Sequence, residues 1–354
     1  MEALIKHKIN ATADPKIRKS RIRIASLGRD DITGESDHIK ILKELVAVND
    51  DKYPGIDRWL ATKVMPGIKS GERRAYIAFE EDKPIAAAIL KLGKSAKFCH
   101  LRISESHQNA DLGQILFVQM TLDVRGFSEE IHFTLPESLW HTKSGFFKSF
   151  GFANAAKTLR HYRKNDTELS CSASISTVYS AVLSKIPRLF SRFCLGKYSE
   201  DANVLMSVKP TFAEKLVGGS KTIEIRKRFS SKWVGHDAVF YASRPLGCLV
   251  GKATINSVTK DQPANIWSQF GSRIGCSRLE FDAYVGSANE VVAVEMKDAV
   301  PYERSVSVSE LSEILHQPLT PPQSYLELAF KKTRSWLNAV YLAESFQRHG
   351  YKDH

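Results

Sequence analysis

Cysteine is scarce in this chain of 354 residues and shows no metal-binding spacing. The five cysteines are Cys99, Cys171, Cys194, Cys248 and Cys276, and no two of them form a C-x-x-C pair. An odd, scattered set argues against a disulfide framework and against a structural zinc site. Reduced thiols are typical of the cytoplasm, so the sequence predicts a cytoplasmic protein that holds no metal.

Long apolar runs are also missing. The longest uncharged stretch, Leu169 to Ser184, contains serines and a threonine. It is shorter than the roughly 20 apolar residues that a membrane-spanning helix needs. The first twenty residues contain no apolar signal core followed by a small-residue cleavage site. We therefore expect no transmembrane helix, no export signal and no membrane partner.

The chain does contain a basic excess and enough residues for two or three domains. Hydrophobic residues make up 43% and charged residues 25%, as in folded globular proteins. The net charge of +12 suits partners that carry phosphate, either nucleic acid or a phosphorylated cofactor. Residues 1–165 contain 28 Lys and Arg against 20 Asp and Glu, and the remainder 23 against 19. Both halves are thus basic, the first more so.

The first half has the residue pattern of an α/β domain. Alternating apolar residues predict strands, and apolar residues three or four apart predict helices. In chain order we predict a strand at 21–27, a helix at 37–49, a hairpin at 74–92, a strand at 98–104, a helix at 112–124, a strand at 130–135 and a short helix that runs into Gly151. This alternation predicts a mixed sheet covered by helices.

A polar turn joins the strand at 98–104 to the next helix. It contains Gln108, Asn109, Ala110, Asp111, Leu112 and Gly113. Backbone N–H groups at a helix start can hold an anion at such a place. With EIHFTL and SGFFKSFGF further on, residues 20–165 resemble the GCN5-related N-acetyltransferase (GNAT) family, whose pyrophosphate loop follows R/Q-x-x-G-x-G/A.

The GNAT resemblance implies an acetyl-CoA site between two splayed parallel strands. In this interpretation Leu101, Arg102 and Ile103 meet the pantetheine arm, and the six residues of the polar turn hold the phosphates. Two positions depart from the family. Asp111 replaces the first glycine of the loop, and Phe147 replaces the tyrosine that in many members protonates the departing thiolate.

Acetyl transfer also needs a group that keeps the acceptor amine unprotonated. Glu105, at the end of a predicted strand, and His132, on the adjacent one, are the candidates for this base. An ordinary solvated or hydrogen-bonded side chain is the alternative interpretation of each.

Residues 166–202 differ in composition from both flanking regions. Their first part is small and polar, which is typical of a linker. A helix-like pattern follows, with Pro187 as a kink and with four basic residues, Lys185, Arg188, Arg192 and Lys197. A basic amphipathic helix can lie on a membrane or on nucleic acid. We favour a connecting helix that packs on the neighbouring domain.

From Asn203 onward short β-branched or aromatic segments predominate, which predicts a small β-barrel. One segment, Gly219-Ser220-Lys221-Thr222-Ile223-Glu224-Ile225-Arg226, places Thr222, Glu224 and Arg226 on one face of a strand because alternate residues share a face. A carboxylate flanked by cations can form a catalytic cluster or an RNA-binding site. The alternative is a surface strand with paired charges.

The motif S-V-K-P, a helix and then G-x-K-T-x-E-x-R resembles the ASCH family, a PUA-like barrel related to RNA-binding modules. The resemblance covers residues 203–330, and we predict a C-terminal helix within 331–354. It implies RNA or nucleotide binding, and some relatives are amidohydrolases or a ribonuclease. The implied binding residues are Ser207, Lys209, Lys221, Thr222, Glu224, Arg226, Tyr241 and Arg244, with Lys221 and Glu224 as a possible catalytic pair. For Tyr241, a core aromatic is an equal alternative.

Three functions are compatible with these patterns. The favoured one is an acetyl-CoA-dependent N-acetyltransferase whose barrel holds an RNA- or nucleotide-linked amine. The second is an RNA-binding regulator with an inactive transferase domain. The third places hydrolysis of an amide or of RNA in the barrel.

Overall fold

The computed structural model describes residues 22–28, 37–47, 53, 55–108, 111–158, 166–193, 203–328 and 333–347. These residues form two β-sheets with helices packed on both. None of the helices in these ranges combines the length and the apolar character that crossing a membrane requires.

The first sheet has seven strands in the order β1-β2-β3-β4-β5-β7-β6. The strands are β1 Ile22–Leu27, β2 Arg73–Glu80, β3 Lys83–Lys91, β4 Ser95–Ile103, β5 Glu130–Pro136, β6 Ala156–Lys157 and β7 Glu168–Ser174. The helices are α1 Asp37–Ala47, α2 Ile56–Trp59, α3 Met65–Ser70, α4 Leu112–Val124, α5 Glu137–Lys148, α6 Ile175–Leu183 and α7 Ile186–Phe190, with a π-helical turn, Leu60–Val64, between α2 and α3. The predicted α/β class is confirmed, and the structure adds α2, the π-helical turn, α3 and β6 to the predicted elements.

Strands β4 and β5 are parallel neighbours that pair only at their first residues. The paired residues are Ser95 to Lys97 on β4 and Glu130 to His132 on β5. Beyond this point, within the described ranges, β4 pairs only with β3, and β5 only with β7. The two parallel strands therefore separate toward their carboxyl ends, where α4 begins.

The segment predicted as a linker contributes a strand to this sheet. Within 166–202, strand β7 pairs with β5 along its whole length. Leu169 and Cys171 are buried, whereas Ser172 and Ser174 are exposed, so the small polar residues form the outer side of a half-buried strand. The helical pattern that follows is broken into α6 and α7, with Pro187 in the first turn of α7. Val178, Val182, Ile186, Leu189 and Phe190 of these helices are buried in the main core, so both helices pack into this core rather than standing free.

The second sheet has six strands in the order β13-β8-β10-β11-β12-β9. The strands are β8 Asn203–Val208, β9 Ile223–Arg226, β10 Asp237–Ala242, β11 Cys248–Asp261, β12 Val291–Ser307 and β13 Tyr325–Leu328. The helices are α8 Pro210–Val217, α9 Pro263–Ile274, α10 Arg278–Val285, α11 Val308–Leu315 and α12 Arg334–Ser345. The sheet is curled into a half-barrel, so the predicted barrel-like fold is confirmed.

Both faces of the second sheet are covered. On β8, Val204 and Met206 pack in one apolar cluster with Ala213 and Leu216 of α8. Leu205 faces the other way, into a cluster that also contains residues of α11, α12 and the first half of the chain. Burial on both faces explains why this strand reads as a continuous apolar run.

The two edge strands, β9 and β13, approach each other without backbone pairing, and we call the gap between them the seam. Arg226 at the end of β9 donates from Nη2 to the carbonyl of Ser207 at 2.7 Å. Its Nη1 lies 3.4 Å from the carbonyl of Ser324, the residue before β13. Phe229 and Tyr325 also meet across the seam, with ring centroids 4.9 Å apart. Side chains, and not a ladder of backbone hydrogen bonds, therefore link the two edges.

Candidate functional site

The gap between β4 and β5 is the first place where a ligand site was predicted. Of the predicted pantetheine residues, Leu101 and Ile103 pack toward the main core, whereas Arg102 faces α1 and donates to the carbonyl of Leu45 at 2.7 Å. Gln108 is exposed, Leu112 is buried, and Asn109 and Ala110 lie outside the described residues. Gly113 lies so close to Ile103 and Phe146 that an added Cβ would be 3.4–3.5 Å from them.

Asp111 has the backbone of a glycine and the side chain of an anion. Its φ of 63° is left-handed, which explains why the GNAT loop has glycine at this position. Its carboxylate accepts hydrogen bonds from Gln114, at 2.9 Å, from Arg188, at 2.6 Å, and from Arg192. The two arginines belong to α7 and the residues after it. The start of α4, where a pyrophosphate would bind, thus already holds a negative charge with its own cations.

Phe147 has no hydroxyl group and cannot protonate a departing thiolate. It is buried and stacks on Trp140 at 6.0 Å, within a cluster of aromatic rings that surrounds Phe117 of α4. The cluster consists of Phe98, Phe117, Phe133, Phe146, Phe147, Phe150 and Phe152. The position that often carries a tyrosine is therefore part of the apolar core.

The two predicted bases lie at opposite ends of the strands. His132 pairs across from Lys97 near the start of β4, and its Nδ1 is 2.9 Å from Ser95 Oγ. Glu105 is exposed, eight residues after Lys97, a separation of roughly 26 Å along an extended chain. The structure does not bring them together.

A half-buried histidine that the sequence did not single out lies beside an irregularity in β4. The pairing of β3 with β4 shifts register around Cys99, as in a β-bulge. Next to it, burial lowers the pKa of His100 to about 4, with a smaller contribution from the charge of Arg102. His100 Nε2 has no hydrogen-bond partner among the described residues. Its ring is therefore neutral at pH 7.

The second predicted site is a cleft of about 1090 Å³ beside the seam. Its floor is a buried charged triad, Lys221, Glu224 and Arg226, whose side chains are 3–9% exposed. Glu224 Oε2 lies 3.1 Å from Lys221 Nζ, and Oε1 lies 3.2 Å from Arg226 Nη2. One carboxylate is thus held between two cations, as the motif predicted.

The triad is fixed by backbone groups around it. Lys221 Nζ donates to the carbonyls of Ile223 and Ile274, both at 2.6 Å, in addition to its contact with Glu224. These contacts use all three ammonium protons. Arg226 is held by the contacts across the seam, while its buried Nε has no partner among the described residues. Lys221 consequently acts as a fixed positive charge.

Three of the predicted RNA-binding residues do not line the cleft, whereas Ser207 and Lys209 do. Thr222 accepts a hydrogen bond from Arg273 at 2.9 Å and faces that side chain instead. Tyr241 is 6% exposed and packs in the main core, on the same face of β10 as Val239. Arg244 is exposed in the following turn. The structure thus brings Ser207 and Lys209 to the triad but not these three residues.

Several residues that line the cleft were not among the predicted binding residues: Phe212 lies on the predicted helix before the motif, and the others come from the region after the motif, including the unpredicted helix α10. These residues are Phe212, Lys227, Arg228, Ser243, Cys276, Glu280, Phe281, Tyr284, Gln323, Ser324 and Tyr325. Exposed cations at 209, 227 and 228 surround the mouth. The cleft therefore combines a buried ionic floor with aromatic walls and a basic rim.

The second half is similar to known proteins. Residues 202–315 match a family model described as "Domain of unknown function (DUF365)". The ASCH domain-containing ribonuclease of Zymomonas mobilis is 27% identical over 140 residues, which cover 40% of this chain and 93% of the relative. The second half of this chain resembles an ASCH domain. We call residues 203–328 the ASCH-like half.

Solved structures match both halves. The crystal structure of ASCH from Zymomonas mobilis is 26% identical to the ASCH-like half and covers 38% of this chain and 93% of its own, with a TM-score of 0.35. Structures similar to the first half include an acetyltransferase from Thermus thermophilus. It is 16% identical, and the match covers 43% of this chain and 96% of the acetyltransferase, with a TM-score of 0.33. Another is spermidine N-acetyltransferase from Vibrio cholerae in complex with CoA and spermine. It is 13% identical, and the match covers 45% of this chain and 98% of that enzyme, with a TM-score of 0.33.

Proposed function

We propose that the ASCH-like half binds RNA in its cleft and cleaves it there. The observation that carries this proposal is the carboxylate of Glu224, held between Lys221 and Arg226 at the floor of an open cleft. Exposed Lys209, Lys227 and Arg228 supply positive charge where a phosphate backbone would enter. The similarity to a protein named as a ribonuclease supports the same conclusion.

Each member of the triad has a role that fits its contacts. The 2′-oxygen of a ribose attacks the adjacent phosphorus, so that the O2′–P bond forms while the P–O5′ bond breaks. Glu224 accepts the 2′ proton as general base, and the departing 5′-oxygen takes a proton from water. Arg226 and Lys221 stabilise the negative charge that develops on the phosphoryl oxygens, and Lys221 does so as a fixed charge because its protons already bond to protein acceptors. The products are a 2′,3′-cyclic phosphate and a free 5′-hydroxyl.

Replacing Glu224 by glutamine tests this proposal. Glutamine keeps the shape of the side chain but cannot accept the 2′ proton, so we expect cleavage of a labelled single-stranded RNA to fall at least ~100-fold. The matched control is Glu290→Gln, because Glu290 is an exposed carboxylate paired with Lys260 outside the cleft. Unchanged cleavage in Glu224→Gln would refute the assignment. If the wild-type protein hydrolyses an acetylated nucleoside and leaves RNA intact, the cleft is the site of amide hydrolysis and not of RNA cleavage.

Acetyl-CoA binding by the first half is a second candidate, favoured by the separation of β4 and β5 beyond Lys97 and His132. The loop as it stands does not fit a pyrophosphate, because the Asp111 carboxylate occupies the start of α4 and engages Arg188 and Arg192. We therefore derive no acetyl-transfer step. Calorimetry with acetyl-CoA up to millimolar concentration tests binding directly, and absence of heat would exclude this candidate.

We retain the cytoplasm as the proposed location. The four cysteines among the described residues, Cys99, Cys171, Cys248 and Cys276, are free thiols, which supports a reducing compartment.

A further inference from the structure

Tyr284 is a partly exposed aromatic residue at the wall of the cleft. It is 44% exposed, although burial of the rest of the side chain raises the pKa of its hydroxyl. The charges of Arg226 and Glu224 both act on this hydroxyl. The ring therefore lies within electrostatic reach of the triad and still has a surface open to the cleft.

The helix that carries Tyr284 is held rigidly. Ser277 and Glu280 form a capping box at the start of α10, and Arg278 donates to both carboxylate oxygens of Asp282 at 2.8–2.9 Å. Phe281 is 1% exposed and packs on Trp267 of α9, with ring centroids 5.1 Å apart. A tyrosine one turn after such an anchor is presented to the cleft in a fixed place, so a ligand would lose little entropy in ordering it.

The position of the ring suits a nucleobase. The triad is 3–9% exposed, and bases paired in a duplex cannot reach a floor this deep without leaving their stack. An unpaired base can enter and stack on an aromatic face, while its phosphates meet Lys227 and Arg228, which follow β9 at the same rim. Lys227 Nζ lies 5.9 Å from the centre of the Tyr284 ring, so the stacking surface and the phosphate charge are adjacent.

We propose that Tyr284 stacks on a base of the bound RNA and makes the cleft selective for unpaired nucleotides. This inference rests on the proposed function, since it names the residue that selects the substrate of the same cleft. Tyr284 contacts the base by stacking, whereas the cations Lys227 and Arg228 contact the phosphates of the RNA.

Binding of fluorescent 2′-O-methyl oligouridylate tests the inference, because this probe lacks the attacking hydroxyl and is not cleaved by the proposed reaction. We expect Tyr284→Ala to weaken binding about 10-fold, equivalent to ~1.4 kcal/mol, as loss of one base–aromatic stack predicts. Tyr284→Phe and Tyr284→Trp keep a ring and should bind as the wild type does. Leu279→Ala is the matched control, because Leu279 is 81% exposed on the same helix and lies outside the cleft.

A second probe with abasic positions separates stacking from charge. We expect wild type and Tyr284→Ala to bind this probe equally, since the phosphates remain and the bases are gone. An equal loss on both probes, or binding by Tyr284→Ala within twofold of the wild type on oligouridylate, would overturn the role of Tyr284. Wild-type protein that binds no single-stranded RNA at all would instead overturn the proposed function.

Discussion

Among single residues, Asp111 has the clearest conflict between backbone and side chain. Its left-handed backbone costs about 1 kcal/mol that glycine would not incur. Its carboxylate is 14% exposed and is contacted by Arg188 and Arg192, which are about half exposed, so these ion pairs contribute little stability. Asp111 therefore adds little to the stability of the fold.

Replacing Asp111 by glycine should restore anion binding at the start of α4. The change removes one negative charge, relieves the backbone and leaves two arginines available, so we expect CoA to bind ~10-fold more tightly, measured by calorimetry. Asp111→Asn, which loses only the charge, should give most of this gain. CoA affinity in Asp111→Gly equal to that of the wild type would show that the loop is not a phosphate site.

His100 makes stability depend on pH in a definable window. Its pKa is about 4 in the folded chain and near 6.5 when unfolded, so between these values the unfolded state binds a proton that the folded state does not. Stability should therefore fall as pH drops from 6.5 to 4, by ~1.4 kcal/mol per unit of pKa difference. Urea denaturation at pH 7.0 and 5.0 should show a smaller fall in His100→Leu than in the wild type. An identical fall in both proteins would rule out His100 as the cause.

At the scale of elements, the sequence predicts best where periodicity is strong. The apolar residues of the five strands β1 to β5 and of helices α1 and α4 repeat with period two or 3.6, and this periodicity predicts them, whereas α2 and α3 are not predicted. The small polar composition of strand β7 predicts a linker, whereas the alternation of Leu169 and Cys171 with serines is typical of a half-buried strand. Helix α9, which the sequence analysis does not predict, has apolar residues at four-residue spacing, Ile266, Phe270 and Ile274, and this pattern is typical of a helix.

The same limits apply to the candidate site. Lys221, Glu224 and Arg226 are close in sequence, so one strand and its turn suffice to assemble them. Tyr284 reaches the cleft from 58 residues further along, and Arg188 reaches Asp111 across 77 residues. Such contacts depend on how helices pack on the sheets, and no local pattern contains that information. Tyr241 shows the converse: its sequence position is equally compatible with an RNA contact and with a core aromatic, and the residue lies in the core because β10 is buried on both faces.

At the scale of the whole molecule, helix α12 joins the two halves. Tyr341 donates from its hydroxyl to Asp123 of α4 at 2.8 Å, and the same carboxylate accepts from Arg74 and Tyr76 of β2. Asn338 donates to the carbonyls of Phe190 and Phe193 at 3.0 and 2.9 Å. One apolar cluster contains residues of both sheets and of α12. The two halves therefore share part of a core.

This shared network predicts unequal effects of two conservative changes. Tyr341→Phe removes a buried hydrogen bond to a carboxylate and should lower the free energy of unfolding by ~1–3 kcal/mol. Tyr302→Phe is the control, because the buried Tyr302 hydroxyl has no partner among the described residues, and its loss should be neutral or stabilising. Urea denaturation gives both values. Equal effects of the two substitutions would contradict the assigned role of Tyr341.

The seam between β9 and β13 has a consequence for solubility. Each edge strand has four residues, and an edge that is short and occupied is a poor template for another chain. Arg226 bonds to carbonyls on the opposite side of the seam and holds the two edges close together. The guanidinium group that contributes to the floor of the cleft thus also keeps the two edges next to each other, and we expect this to make either edge less accessible to a strand of another chain. Any variant that alters this arginine changes the chemistry of the cleft and the self-association of the protein together.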